Sequence, residues 1–166
     1  YLYHNIGDSV ALYTQDGKVL KQEEVSSYPC VGEDRPGLRY FRSVRTTGLN
    51  ENTVVALFSA RPLNTGTSYM KMWMPASSDV SYFTALAPGA KTASSPYQNK
   101  PSLVVTMRKE KPAVKEPFVA VYEPISDKVS AGLIESVDRV KLDPQGEEGC
   151  AIKVKTKEGD TFTLVN

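Results

Sequence analysis

The sequence predicts an all-β fold, an antiparallel two-sheet β-sandwich of about ten strands. Three observations carry this: short β-rich runs recur from end to end, turn residues punctuate them, and no segment holds a capped 3.6-residue apolar repeat. Alternating strand and helix units, the mark of a parallel α/β sheet, are absent from the pattern. The 166 residues suit a single domain, because domains cluster near about 100 to 150 residues and all-β ones run longer. The whole of 1–166 is therefore read as one sandwich, and a start at Tyr1 rather than at methionine marks it as part of a larger parent protein.

The elements follow in order. Residues 10–13 and 19–22 flank Thr14-Gln15-Asp16-Gly17-Lys18, where Asp-Gly supplies the positive φ angles of a hairpin turn. After a segment with Pro29, Cys30, Gly32 and Pro36, residues 38–45 and 53–59 read as strands separated by Gly48 and Asn50. Residues 69–74 alternate Tyr69, Lys71 and Trp73 on one face with three methionines on the other, and Pro75 closes the run. A further strand covers 79–86. The Ala, Ser, Gly and Pro-rich stretch 88–101 reads as a long irregular loop, and a loop of that length is commonly functional. Residues 102–108 and 117–124 are the strongest strands and are expected to be central, with Leu103, Val105, Met107, Phe118, Ala120 and Tyr122 in the core. A short helical turn is allowed within 126–134. Strands at 135–142, 150–156 and 161–165 complete the set, the last two joined through Lys157-Glu158-Gly159-Asp160.

Composition excludes several function classes. Twenty Lys and Arg against nineteen Asp and Glu leave a net charge of +1, which provides no overall field for nucleic acid. No apolar run reaches the roughly 18 to 20 residues of a membrane span. Cys30 and Cys150 stand far apart with no CxxC and no nearby histidine, so no zinc knuckle is expected; they are read as two buried thiols or, in an oxidising compartment, as one bridge. Phosphate-binding and dinucleotide-binding glycine motifs are missing, and no metal or cofactor is expected. His4 is the single histidine and thus the one weak catalytic candidate for base-assisted chemistry. Alone, the domain is not expected to be a complete enzyme.

The more informative constellation is Tyr69, Lys71 and Trp73 on one strand face. An aromatic surface beside a cation can stack on a sugar ring and pair with its acid group, and Arg42, with Arg39 and Arg45, extends a positive strip. These are the candidate ligand-binding residues. On a layered fold, however, one face of that strand is core, where Trp73 would be a plug rather than a platform.

Three stretches add a resemblance: Tyr1-Leu2-Tyr3-His4-Asn5-Ile6-Gly7, Pro117-Phe118-Val119-Ala120-Val121-Tyr122-Glu123-Pro124 before Glu135-Ser136-Val137, and Ala151-Ile152-Lys153-Val154-Lys155-Thr156. In this order they resemble the C-terminal β-sandwich region of the heparinase II/III-like polysaccharide lyases. The resemblance implies a parent that cleaves acidic polysaccharide by β-elimination, with an N-terminal helical domain as this domain's partner, a periplasmic or extracellular location, and a structural or glycan-contacting role for the sandwich. His4 is the position that would correspond to a histidine of that family. The family's zinc site needs histidines this chain lacks. The alternative is a stand-alone secreted module that binds carbohydrate or protein, and a third reading is a small enzyme built around His4. Trp73→Ala separates platform from plug: it costs about 1 to 3 kcal/mol of glycan affinity in the first case and about 3 to 5 kcal/mol of stability in the second.

Overall fold

The computed structural model describes residues 2–6, 9–26, 40–60, 66–77, 79–87, 101–108, 116–126, 132–141 and 150–165. Its twelve strands are β1 (Leu2–Ile6), β2 (Ser9–Thr14), β3 (Glu23–Glu24), β4 (Arg42–Leu49), β5 (Val54–Ala60), β6 (Ser68–Met74), β7 (Val80–Leu86), β8 (Pro101–Arg108), β9 (Val121–Ile125), β10 (Ile134–Val140), β11 (Ala151–Thr156) and β12 (Thr161–Val165). All pairings are antiparallel, and no α-helix occurs among the described residues. The all-β sandwich expected from the alternating pattern is what the chain forms.

The described residues form three sheets, with strand orders β1-β8-β7-β4-β3, β2-β5-β6-β9 and β10-β11-β12. The four-stranded sheet lies in the middle. One of its faces carries Leu12, Val54, Ala56, Phe58, Met72 and Met74, which pack against Val80 and Tyr82 of the five-stranded sheet. Its other face brings Val55 and Trp73 against Val137, Ile152 and Val154 of the three-stranded sheet. The period-two geometry of a strand explains how β5 and β6 serve both cores at once. The three-stranded sheet is thus a third layer on an otherwise two-layer sandwich. A separate small core of Val44, Phe83, Ala85 and Ala87 lies on the outer face of the five-stranded sheet.

Several strand expectations differ in detail. The turn after β2 is present, with Gly17 at φ +85° and Thr14 N–H donating to Lys18 O, but its second arm makes only a bridge between Tyr13 and Val19. The long-range partner of β2 is β5. Of the two strands expected to be central, β8 lies between β1 and β7, whereas β9 is an edge and begins only at Val121. Proline explains this: Pro117 and Pro124 lack the N–H that a central strand must donate. Tyr122, expected in the core, lies on the Met72 face of that edge strand but is 40% exposed, while Phe118 and Ala120 are half-buried. The side chains of Leu103, Val105 and Met107, the loop expected over 88–100, and most of the expected turn within 126–134 lie outside the described residues.

The three-stranded sheet is fastened by side chains as well as by its apolar face. At the β10 edge, Val137 N–H donates to Gln15 Oε1 at 3.0 Å and Val137 O accepts from Thr53 Oγ1 at 3.0 Å, so this edge is closed by two side chains of the neighbouring layer. Thr53 Oγ1 also accepts from Ala76 N–H at 3.1 Å. The opposite edge, β12, has Phe162, Leu164 and Val165 exposed. Cys150 is a free, buried thiol that accepts from Arg139 Nη1 at 3.2 Å; Cys30 lies outside the described residues.

Phe58 is fully buried in the larger core, so Phe58→Ala is expected to lower unfolding free energy by about 3 to 5 kcal/mol, read from the midpoint of a urea transition with an unchanged slope.

Candidate functional site

The outer face of the middle sheet can be read in rows from the strand registers. Val55, Trp73 and Val121 form one row, Leu57, Lys71 and Glu123 the next, and Ser59, Tyr69 and Ile125 a third. β2 extends these rows with Tyr13, Ala11 and Ser9. The three-stranded sheet covers the first row, where Trp73 is 3% exposed within the core. Lys71 and Tyr69 in the later rows are half-buried.

The centre of the arrangement is Glu123, a carboxylate only 7% exposed. An ionised acid in such a place must be compensated by donors. Trp73 Nε1–H donates to Oε2 at 3.0 Å, Ile134 N–H donates to Oε1 at 2.9 Å, and Leu133 N–H donates to the same oxygen. The backbone reaches the carboxylate because Gly132 lies directly against it. Gly132 has φ +68°, and a Cβ built there would be 2.5 Å from Glu123 Oε1. Both the conformation and the space require glycine.

Two cations gather around this acid. Lys71 faces Glu123 across the β6 and β9 pair, and its Nζ stands 5.6 Å from the centroid of the Trp73 ring. Lys157, on the turn between β11 and β12, donates from Nζ to Gly132 O at 2.9 Å, and its N–H donates to Leu133 O at 2.9 Å. Burial pushes the Lys71 ammonium below its ordinary range; the Glu123 carboxylate opposes that shift and Lys157 adds to it. On the rim, Ser9 and Ser59 share a hydrogen bond of 2.8 Å between their hydroxyls. An open pocket of ≈ 550 Å³ borders Tyr69 on its far side, lined also by Phe58, Met70, Pro124 and Ile125.

The structure brings Tyr69, Lys71 and Trp73 onto one face but gives them unequal surroundings. Trp73 is a plug between layers with its indole committed to Glu123, so its ring is not a stacking surface. Arg42 is exposed on β4 of the five-stranded sheet, opposite Leu86, and that sheet packs on the other side of the middle one. It does not join the Lys71 cluster. His4 pairs with Leu103 through the backbone of β1, and its side chain lies outside the described residues. Among the described residues no three His, Cys, Asp or Glu side chains converge as metal ligands, and no helix is long and apolar enough to cross a membrane. Sequence reasoning missed Glu123, Gly132 and Lys157. One signal was available: period two puts an acid between Val121 and Ile125, on the face shared with buried residues.

Over 127 residues the chain is 36% identical to an endo-acting ulvan lyase of Formosa agariphila, an alignment that covers 75% of this chain and 15% of that protein. The chain is therefore related in sequence to a segment of a polysaccharide lyase, and it spans about one seventh of that relative's length. No family model and no solved structure matches it.

Removing the buried acid leaves its donors unsatisfied, so Glu123→Ala is expected to cost about 1 to 3 kcal/mol for each orphaned group, with Gly132→Ala also strongly destabilising by thermal melts. Lys71 gives a pH test. Its folded form sheds a proton more readily than the unfolded chain does, so between the lowered folded value and 10.5 the unfolded state holds more protons and stability rises with pH. The stability of the natural chain minus that of Lys71→Gln is expected to increase as pH climbs through this window, measured by urea unfolding at successive pH values.

Proposed function

We propose that this chain serves as the C-terminal or accessory β-sandwich of a heparinase II/III-like polysaccharide lyase, in a parent that cleaves acidic polysaccharide by β-elimination. The observation that carries the proposal is the 36% identity over 127 residues to a segment of a much longer ulvan lyase. The order of the three sequence motifs supports the narrower family assignment. In this reading an N-terminal helical domain of the parent is the partner, the substrate is an acidic polysaccharide for which ulvan is the first compound to try, and the protein works in the periplasm or outside the cell.

The chemistry assigns the elimination to the parent rather than to the sandwich. β-Elimination from a uronate needs its carboxylate neutralised, a base at the acidic carbon and an acid at the leaving oxygen. Lys71 can meet the first need by charge. Glu123 is unsuited to serve as the base, because its two oxygens are taken up by Trp73, Leu133 and Ile134 beneath the third layer. The sandwich contributes stiffness and a surface for glycan. A stand-alone carbohydrate-binding module is the second reading, favoured by the half-covered face that carries Tyr69 and Lys71.

The test combines the parent reading frame with an elimination assay. The reading frame is expected to encode a helical domain before this segment, and the whole polypeptide to generate the ultraviolet absorbance of an unsaturated uronate from ulvan. The isolated 166-residue chain is expected to generate none. A reading frame that encodes this domain alone, with glycan affinity and no elimination, would establish the second reading instead.

A further inference from the structure

Three strands of the middle sheet end at one rim. Ala60 closes β5, Ser68 opens β6 and Ile125 closes β9, and the pocket of ≈ 550 Å³ lies where they end. Sites for small molecules run from about 300 to 1,000 Å³, so the space suits one bound group rather than a single water. Strand register places the side chains around it. Phe58, Met70 and Pro124 form one row across the sheet, and one step nearer the rim Ala60 lies opposite Ser68. Continuing the β6 and β9 register by that step puts Ser126 opposite Ser68, so two hydroxyl side chains stand side by side in front of an apolar row. Tyr69 and Ile125 belong to the opposite face of the sheet and also line the pocket, which therefore wraps the rim.

Three properties of this lining define what fits it. Its floor is apolar: Phe58 is fully buried in the larger core, Met70 packs against that core, and Pro124 is exposed beside them. Its rim is hydroxylic: Ser68 and Ser126 are exposed, and neither hydroxyl bonds to a described residue. A serine hydroxyl both donates and accepts, which matches a ligand hydroxyl that does the same. Among the described residues no charged side chain lines the pocket, so an acid or ammonium group would find no compensation there for its lost water. We propose that this pocket binds a neutral sugar residue of a glycan, with the C–H face of the ring on Met70 and Pro124 and its hydroxyls bonded to Ser68 and Ser126. A pyranose combines an apolar face and a hydroxyl edge in one rigid ring. An apolar peptide side chain would use the floor but leave the serine pair without partners. The choice of a glycan rests on the glycan-contacting role proposed above, and the inference adds to that role a place and a sugar class.

The test adds cellotriose, mannotriose and galactotriose in turn to the isotope-labelled 166-residue chain and follows its backbone amides by nuclear magnetic resonance. At least one of the three is expected to shift the amides of Ser68, Tyr69, Ile125 and Ser126 saturably, with an affinity that added salt leaves unchanged. The double variant Ser68→Ala, Ser126→Ala is expected to weaken that binding about tenfold, the value of two modest neutral hydrogen bonds. Ser126→Trp should abolish it by filling the space. Lys153→Gln, exposed on the three-stranded sheet, should leave it unchanged. Thermal melts of each variant show whether the fold is kept. Trigalacturonate is expected to bind no more tightly than its carboxyl-reduced form. Failure of all three sugars to shift these amides, tighter binding of trigalacturonate than of its reduced form, or full affinity in the folded double variant would overturn the subsite. Shifts of the same amides by a polyproline peptide and by none of the sugars would overturn it in favour of a peptide pocket. The two proposals fail separately. Serine-dependent sugar binding in a parent that lacks elimination activity would remove the lyase reading and leave the subsite, whereas elimination without such binding would remove only the subsite.

Discussion

The fold depends on one buried carboxylate. Glu123 stands at the edge of the middle sheet, where an unpaired acid would be costly, and its oxygens are held by an indole from β6 and by the two backbone N–H groups that open β10. The donors come from both sides of the layer boundary. Trp73 fills the core between the middle and outer sheets, and Leu133 and Ile134 begin the outer sheet itself. The acid thus sets where β10 starts, which aligns Val137 with Thr53 and Gln15 and brings Ile152 and Val154 over Trp73. Hydrophobic burial supplies most of the stabilisation in such an interface, but it is not directional; the hydrogen bonds to Glu123 choose the register.

The same contact determines what the outer sheet leaves uncovered. With β10 anchored at Glu123, the layer ends one row beyond Trp73, and Lys71 and Tyr69 lie at a step rather than under a roof or on an open plain. Lys157 is carried there by the turn that follows β11. A chain related in sequence to part of a polysaccharide lyase thereby carries half-buried Tyr69 and Lys71 on a strand, and sites built on strands hold their geometry better than sites on loops. Among the described residues no strand pairs with the outer edge of β12, where Phe162, Leu164 and Val165 are exposed.

The layered β architecture was legible because period-two alternation is a local property: β5, β6, β7, β11 and β12 begin and end within a residue or two of their sequence-based bounds. What the alternation does not contain is the number of layers. Val54 to Ala60 reads the same whether its second face meets water or a third sheet, and only the long-range docking of β10 and β11 decides that it meets one. Tyr122, expected in the core, is 40% exposed, and its neighbour Glu123 is buried, for the same reason. Propensity puts the aromatic inside and the acid outside, whereas register puts Glu123 opposite Lys71 beneath Gly132. The Tyr69, Lys71 and Trp73 face was readable from spacing alone, but the division of that face into a buried plug and a half-open ledge was not, since it is made by residues more than fifty positions away.

Hydrogen exchange at the Trp73 indole N–H, compared with the Leu133 and Ile134 amides and the paired amides of β5, tests most directly whether Glu123 fastens the layers. Exchange of all three donors near the slow rate of the β5 core, and its joint acceleration in Glu123→Gln, is the result the structure predicts. Fast, independent exchange of these donors in the natural chain would contradict it, because the outer sheet would then open without breaking the contact said to hold it.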